Sequence, residues 1–99
     1  MDAQIKKGLL DICVLYAISR KESYGYKIID DLKGIVDVSE STLYPILKRL
    51  ENCGALETFT RQHAGRLRRY YKITPAGLKR LKEGKRDLEE IILIYRKIY

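Results

Sequence analysis

Residues 55–60 (Ala-Leu-Glu-Thr-Phe-Thr) and 67–73 (Leu-Arg-Arg-Tyr-Tyr-Lys-Ile) alternate apolar with polar positions and are rich in β-formers, while the apolar residues elsewhere in the chain recur at helical spacing. The segment between the two stretches contains Gly65, so 55–73 is predicted to be a single β-hairpin with a basic tip. Thr74 directly after it is placed to cap a helix, and Pro75 to occupy the first helical position, where a missing amide matters least. That helix is predicted to run to the C-terminus. With 99 residues, the chain has room for one core and an appended element.

Three helices are predicted ahead of the hairpin. From Ile5 to Ile18, apolar residues at Ile5, Leu9, Ile12, Cys13, Tyr16 and Ala17 form a stripe that Leu10, Val14, Leu15 and Ile18 widen. A stripe this broad is suited to burial on more than one side, against its own domain and against a partner. Ser23 is expected to cap a second helix through Tyr24, Ile28, Ile29 and Leu32 that Gly34 ends, with Gly25 one turn inside it. Glycine there costs helix stability, which a close contact with a neighbouring helix or a phosphate would explain. Ile35–Val38 reads as a short β-prone link. Ser39 or Ser41 then caps a third helix carrying Leu43, Ile46, Leu47 and Leu50, stiffened by Pro45 and closed by Gly54.

The fold class that follows is mainly α with a small β-hairpin: a winged helix-turn-helix over 1–74 and a C-terminal dimerisation helix over 75–99. In that arrangement the helix after the turn enters the major groove, and the wing lies along the backbone or minor groove. Near its start the third helix offers Ser41, Thr42, Tyr44 and Lys48, hydroxyls and a cation suited to phosphates and base edges. Tyr24 and Tyr44 are expected in the first turns of their helices, where the helix terminus favours a phosphate. The wing supplies Arg61, Arg66, Arg68, Arg69 and Lys72, and residues 66, 68 and 72 share one face of a strand.

The charge distribution supports a polyanionic partner. The net charge is +7; residues 1–50 carry 8 Lys and Arg against 7 Asp and Glu, and residues 51–99 carry 12 against 6. Cys13 and Cys53 are isolated and lack metal-type spacing with His63, so they read as small apolar residues in a reducing cytosol. Tyr16, Tyr26, Tyr71 and Tyr95 fit apolar stripes and are expected to pack. No signal-peptide progression or span-length apolar run is present, which points to a cytoplasmic protein with no membrane partner. No catalytic constellation, metal cluster or phosphate-binding glycine loop is expected, and no cofactor.

The runs Lys7-Gly8-Leu9-Leu10, Tyr24-Gly25-Tyr26, Ser41-Thr42-Leu43-Tyr44-Pro45-Ile46-Leu47-Lys48-Arg49-Leu50-Glu51, Gly54-Ala55-Leu56 and Arg68-Arg69-Tyr70-Tyr71-Lys72-Ile73-Thr74-Pro75-Ala76-Gly77 resemble the PadR family in order and spacing, over about residues 7–82. The resemblance implies a homodimeric transcription factor, usually a repressor, that binds a palindromic operator and is released by a small effector. By motif it places Tyr24, Ser41, Thr42, Tyr44, Lys48, Arg66, Arg68 and Arg69 on double-stranded DNA. The chain ends about one helix after the wing, as in the short members.

Leu81, Leu88 and Tyr95 are seven apart in the last helix, as are Ile91 and Ile98, with Gly84 and Lys85 interrupting the stripe. Packing this helix on the partner's first helix is expected to bury Leu88, Ile91, Ile92, Tyr95 and Ile98 with Leu9, Cys13 and Tyr16. In short members of the family, planar aromatic drugs bind between subunits. A pore lined by Tyr16, Ile91 and Tyr95 is the corresponding place here, although tryptophan, the usual sandwiching residue, is absent. The rival reading is a winged-helix adaptor that binds protein and never touches DNA; five clustered wing cations argue against it.

Overall fold

The computed structural model describes residues 1–98, with the element order α1 (Ala3–Ile18), α2 (Gly25–Leu32), α3 (Glu40–Asn52), β1 (Leu56–His63), β2 (Arg66–Ile73) and α4 (Pro75–Ile98). This is the winged-helix order expected from the periodicities. α1 begins two residues earlier than its apolar stripe because the Asp2 carboxylate accepts the amides of Gln4 and Ile5 at 2.9 and 3.3 Å.

Ser23 does not cap α2. Its amide donates to the Tyr71 carbonyl at 3.0 Å and its carbonyl accepts the Tyr71 amide at 2.7 Å, so residue 23 is drawn into an isolated bridge with β2. The N-cap is Tyr24, extended at φ −132° and ψ 166°, with no side-chain hydrogen bond to the helix. Gly25 is therefore the first residue of α2 rather than one turn inside it. The Ile35–Val38 link forms no strand; Gly34 turns the chain at φ +91°, and only Val38 of the link is buried.

The core lies where α1, α2 and α3 converge on the base of the hairpin. Val14, Leu15, Ile18, Ile28, Leu32, Leu43, Leu47 and Leu50 are fully enclosed, with Leu56, Tyr71 and Leu81 closing the edge. β1 and β2 are antiparallel in the register Leu56↔Ile73 to His63↔Arg66. Their two-residue connection has Ala64 at φ 50° and Gly65 at φ 78°, the all-positive backbone that matches strand twist in tight hairpins.

α4 starts as predicted. The Thr74 hydroxyl accepts the Gly77 amide at 3.0 Å and donates to the Gly54 carbonyl at 2.6 Å. Gly84, which breaks the heptad stripe, has a positive packing reason: a Cβ there would lie 2.6 Å from Ile12 Cγ1, so glycine lets α4 close on α1. Beyond Gly84 the helix carries on as an arm. Leu88 is half-buried, and Ile91, Ile92, Leu93, Ile94, Tyr95 and Ile98 are all exposed in the isolated chain.

Candidate nucleic-acid interface

α3 begins after Ser39, whose hydroxyl accepts the Thr42 amide at 3.3 Å and lies 3.0 Å from Ser41 Oγ and 3.1 Å from Thr42 Oγ1. Three hydroxyls are thus gathered at one helix N-terminus, where partial positive charge favours an anion. Leu43, Ile46, Leu47 and Leu50 fill the buried side of the helix, which leaves Ser41, Thr42, Tyr44 and Lys48 exposed on the other. Pro45 is the sixth helical residue, so the Ser41 carbonyl lacks the usual i+4 amide. Tyr44, one position before it, has left the first turn in which it was expected.

The Tyr44 phenol reaches across to α2. A Cβ on Gly25 would lie 2.5 Å from Tyr44 Oη and 3.0 Å from its Cζ, so the close contact anticipated for this glycine is with the neighbouring helix. Tyr24, the residue before it, carries the Arg68 guanidinium 3.9 Å over its ring. Tyr24, Tyr44 and Arg68, from three different elements, are therefore gathered around the start of α2.

The hairpin has two unlike faces. Arg66, Arg68 and Lys72 lie on one, together with Phe59, Arg61 and Tyr70; Arg69 and Tyr71 lie on the other, towards α3. On the first face Phe59 stacks on Tyr70 with centroids 5.5 Å apart, and Tyr70 meets Tyr24 edge-on at 5.5 Å. Arg61 covers both rings of the stacked pair, at 5.2 and 4.9 Å. Arg61 stands directly opposite Arg68, and Glu22, 3.5 Å from Arg61, relieves the repulsion between them. The Glu22 carboxyl is held below its usual range, first by a hydrogen bond from its own backbone amide and then by Arg61. On the second face Arg69 lies 3.5 Å from the Glu51 carboxylate and 3.3 Å from Thr58 Oγ1. A cleft of about 450 Å³ between this face and α3 is lined by Tyr44, Lys48, Glu51, Asn52, Arg69 and Tyr71. Burial pushes the Tyr71 phenol up from its ordinary range.

Tyr24 with Arg68, and Tyr44 and Lys48 with Arg69, thus meet where α2, α3 and the hairpin come together, but Arg68 and Arg69 leave the hairpin in opposite directions and Arg66 lies apart at the hairpin tip. Tyr26 is not packed as its stripe suggested: it is 73% exposed, because it lies two residues before the buried Ile28, about 200° around the helix, on the side away from the core. Sequence reasoning missed Phe59 and Tyr70. Their signal was available, since an aromatic pair at facing strand positions is a common cross-strand contact, but recognising it requires the register.

The model of the transcriptional regulator PadR-like family matches residues 14–83. The chain belongs to the PadR-like family of transcriptional regulators. It is similar to a transcriptional regulator of Mycobacterium tuberculosis, 36% identical over 89% of this chain and 83% of that protein. A PadR-like transcriptional regulator from Bacillus cereus has the same fold, with a TM-score of 0.81 at 34% identity over 97% of this chain and 96% of the other. Bacillus subtilis PadR, solved in complex with operator DNA, aligns with a TM-score of 0.69 at 25% identity, over 76% of this chain and 45% of its own.

The side chains expected to pair two copies of this PadR-like chain fall on α1 and α4. Leu9 and Cys13 are half-buried, Tyr16 is exposed, and burial raises the Cys13 thiol above its usual range, so it stays a neutral apolar group. Ile12, Cys13, Tyr16, Leu32, Ile35, Leu81 and Lys85 line an apolar hollow of about 180 Å³ beside them. Among the described residues no three potential metal ligands come together, and no helix is long and apolar enough to cross a membrane.

Proposed function

We propose that this chain is a cytoplasmic, homodimeric repressor of transcription that reads a palindromic operator. α3 enters the major groove with Ser41, Thr42, Tyr44 and Lys48, and Tyr24 contacts the phosphate at the start of α2. Arg66, Arg68 and Arg69 of the wing track the backbone. The observation that carries this reading is the exposed, hydroxyl-rich start of α3 beside a hairpin whose Arg68 sits over Tyr24 and whose Arg69 shares a cleft with Tyr44 and Lys48. The operator complex of Bacillus subtilis PadR, a protein of the same fold, supports it by analogy.

Homodimerisation rests on α4. Five successive residues, Ile91 to Tyr95, are apolar and exposed, and at 100° per residue they cover every side of the helix. One helical seam would leave part of that surface in water, whereas seating the arm among the partner's elements around Leu9, Cys13 and Tyr16 covers it. An effector then acts on this assembly: a small planar aromatic molecule seated near Tyr16, Ile91 and Tyr95 changes the spacing of the two α3 helices and releases DNA. Titration with planar cationic dyes tests this arm; dyes that alter neither intrinsic fluorescence nor operator affinity refute it.

Fluorescence-anisotropy binding to a duplex from the promoter of the chain's own gene, set against a scrambled duplex, tests the whole. Tight binding selective for the promoter is expected. Equal, weak binding to both favours a protein-binding adaptor.

A further inference from the structure

Away from the DNA-facing corner, the molecule contains one charge cluster that joins three helices. Asp11 of α1 is 5% exposed. Its Oδ1 accepts a hydrogen bond from Arg49 Nη2 of α3, and its Oδ2 accepts one from Arg80 Nη2 of α4 at 3.1 Å. The other arm of Arg80, Nη1, lies 3.2 Å from the Cys53 sulfur at the C-cap of α3. A carboxylate this enclosed is tolerable only with its counter-charges in place, so neither guanidinium can drift from it cheaply.

The cluster completes a grip by α4 on one end of α3. The Thr74 hydroxyl donates to the Gly54 carbonyl, and Gly77 packs so closely on the Ala55 carbonyl that a Cβ would overlap it. Arg80 then reaches Cys53 directly and Arg49 through Asp11. All of these contacts hold the C-terminal end of α3 or the link that follows it. The N-terminal end, with Ser41, Thr42 and Tyr44, projects away from them. α4 therefore grips the C-terminal end of α3 by its base, the far half of the same helix carrying the exposed apolar arm, while the N-terminal half of α3 rests on the core through Leu43 and on α2 through Tyr44.

We infer that Asp11 and Arg80 are positioning residues for operator recognition: the Arg80–Asp11–Arg49 bridge transmits the placement of α4 to the angle of α3. The bridge touches no DNA. It fixes which spacing of half-sites the two α3 helices fit, so its loss blurs spacing without weakening phosphate contacts. This inference rests on the operator-reading proposal and deepens it by assigning the residues that set the geometry.

The test uses the full chain with Arg80→Gln, Arg80→Lys and Asp11→Asn, measured against operator duplexes with lengthened and shortened spacers and against a scrambled duplex. Arg80 is the safer site, since its side chain is 44% exposed and its removal leaves Asp11 paired with Arg49. For Arg80→Gln the expected result is an unchanged dimer in sedimentation, unchanged affinity and salt slope on the scrambled duplex, and a fall of about tenfold in selectivity for the native spacer. Arg80→Lys, which keeps the charge, restores part of the loss. Asp11→Asn reproduces it if the variant folds.

A stable dimeric Arg80→Gln chain with native spacer preference overturns the inference, whatever its melting temperature does. So does a parallel loss of scrambled-duplex affinity with a flatter salt slope, which would make Arg80 a phosphate contact. A wild-type chain that does not discriminate between operator and scrambled duplexes overturns the operator reading itself, and this coupling with it. Wild-type discrimination that persists in both Arg80→Gln and Asp11→Asn overturns the coupling alone.

Discussion

Replacing the wing arginines with alanine separates their contributions in a way the hairpin geometry dictates. Residues 68 and 69 are neighbours in β2, so their side chains leave opposite faces of the strand. The Arg68 guanidinium carbon sits 3.9 Å over the Tyr24 ring, a cation–π contact that sets no carboxylate in competition with a phosphate for its donors. Arg69 stands 3.5 Å from the Glu51 carboxylate, which competes with phosphate for the same donors. Each lost phosphate contact lowers the slope of log K against log salt by ~0.9. With two wings per operator, Arg68→Ala should flatten the slope by about 1.8, and the double variant by up to about 3.6. Between 50 and 200 mM salt, one contact corresponds to a factor of about 3.5 in affinity. The losses should be the same on operator and scrambled duplexes, because phosphate contacts carry no sequence. Anisotropy titrations across a salt series read them directly. An unchanged slope in the double variant refutes the wing assignment, and a larger effect of Arg69→Ala than of Arg68→Ala refutes the reasoning from the two faces.

Placing Asp at both Ile91 and Ile98 should yield monomers in sedimentation velocity, since a dimer would lose four apolar anchors of ~1.5 kcal/mol or more each; a double variant that stays dimeric removes α4 from the interface. Ser23→Ala should leave stability unchanged or raise it by up to about 1 kcal/mol, because the buried Ser23 hydroxyl has no partner among the described residues. Thermal denaturation decides, and a loss of that size would show the hydroxyl to be engaged. Gly25→Ala should fold normally, yet bind its operator ~1 kcal/mol less tightly in the same anisotropy assay, because the new Cβ displaces the Tyr44 phenol; undiminished affinity would remove Tyr44 from the DNA-reading set.

How legible each feature was in the sequence depended on how local its cause is. The hairpin, the Thr74–Pro75 helix start and the buried stripe of α3 follow from periodicity and turn chemistry within a few residues, and they appear where expected; in α1 the core takes the residues expected only to widen the stripe, Leu10, Val14, Leu15 and Ile18, and leaves Ile5 and Tyr16 exposed. Ser23 misled because its serine is a good local cap, but a pairing with Tyr71, 48 positions away, claims its backbone. Tyr26, about 200° around α2 from the buried Ile28, faces solvent. Gly84 looked like a flaw in a heptad stripe and is instead the point where α4 meets Ile12. Asp11, Arg49 and Arg80 gave no signal, since a charge in an amphipathic stripe looks solvated until three helices are assembled around it. The split of the wing cations between two faces was half visible: strand alternation placed 66, 68 and 72 together, but only the packing of the hairpin shows that Arg69 lies on the face towards α3.

Hydroxyl-radical footprinting of the chain on its own promoter, with the stoichiometry of the same complex from sedimentation, tests the central claim that two copies present two α3 helices to successive turns of one duplex. The account predicts two related protected segments centred about one helical turn apart, ~34 Å, in a complex of two chains per site. A single protected segment bound by one chain, or no protection at concentrations where the chain is dimeric, would contradict it.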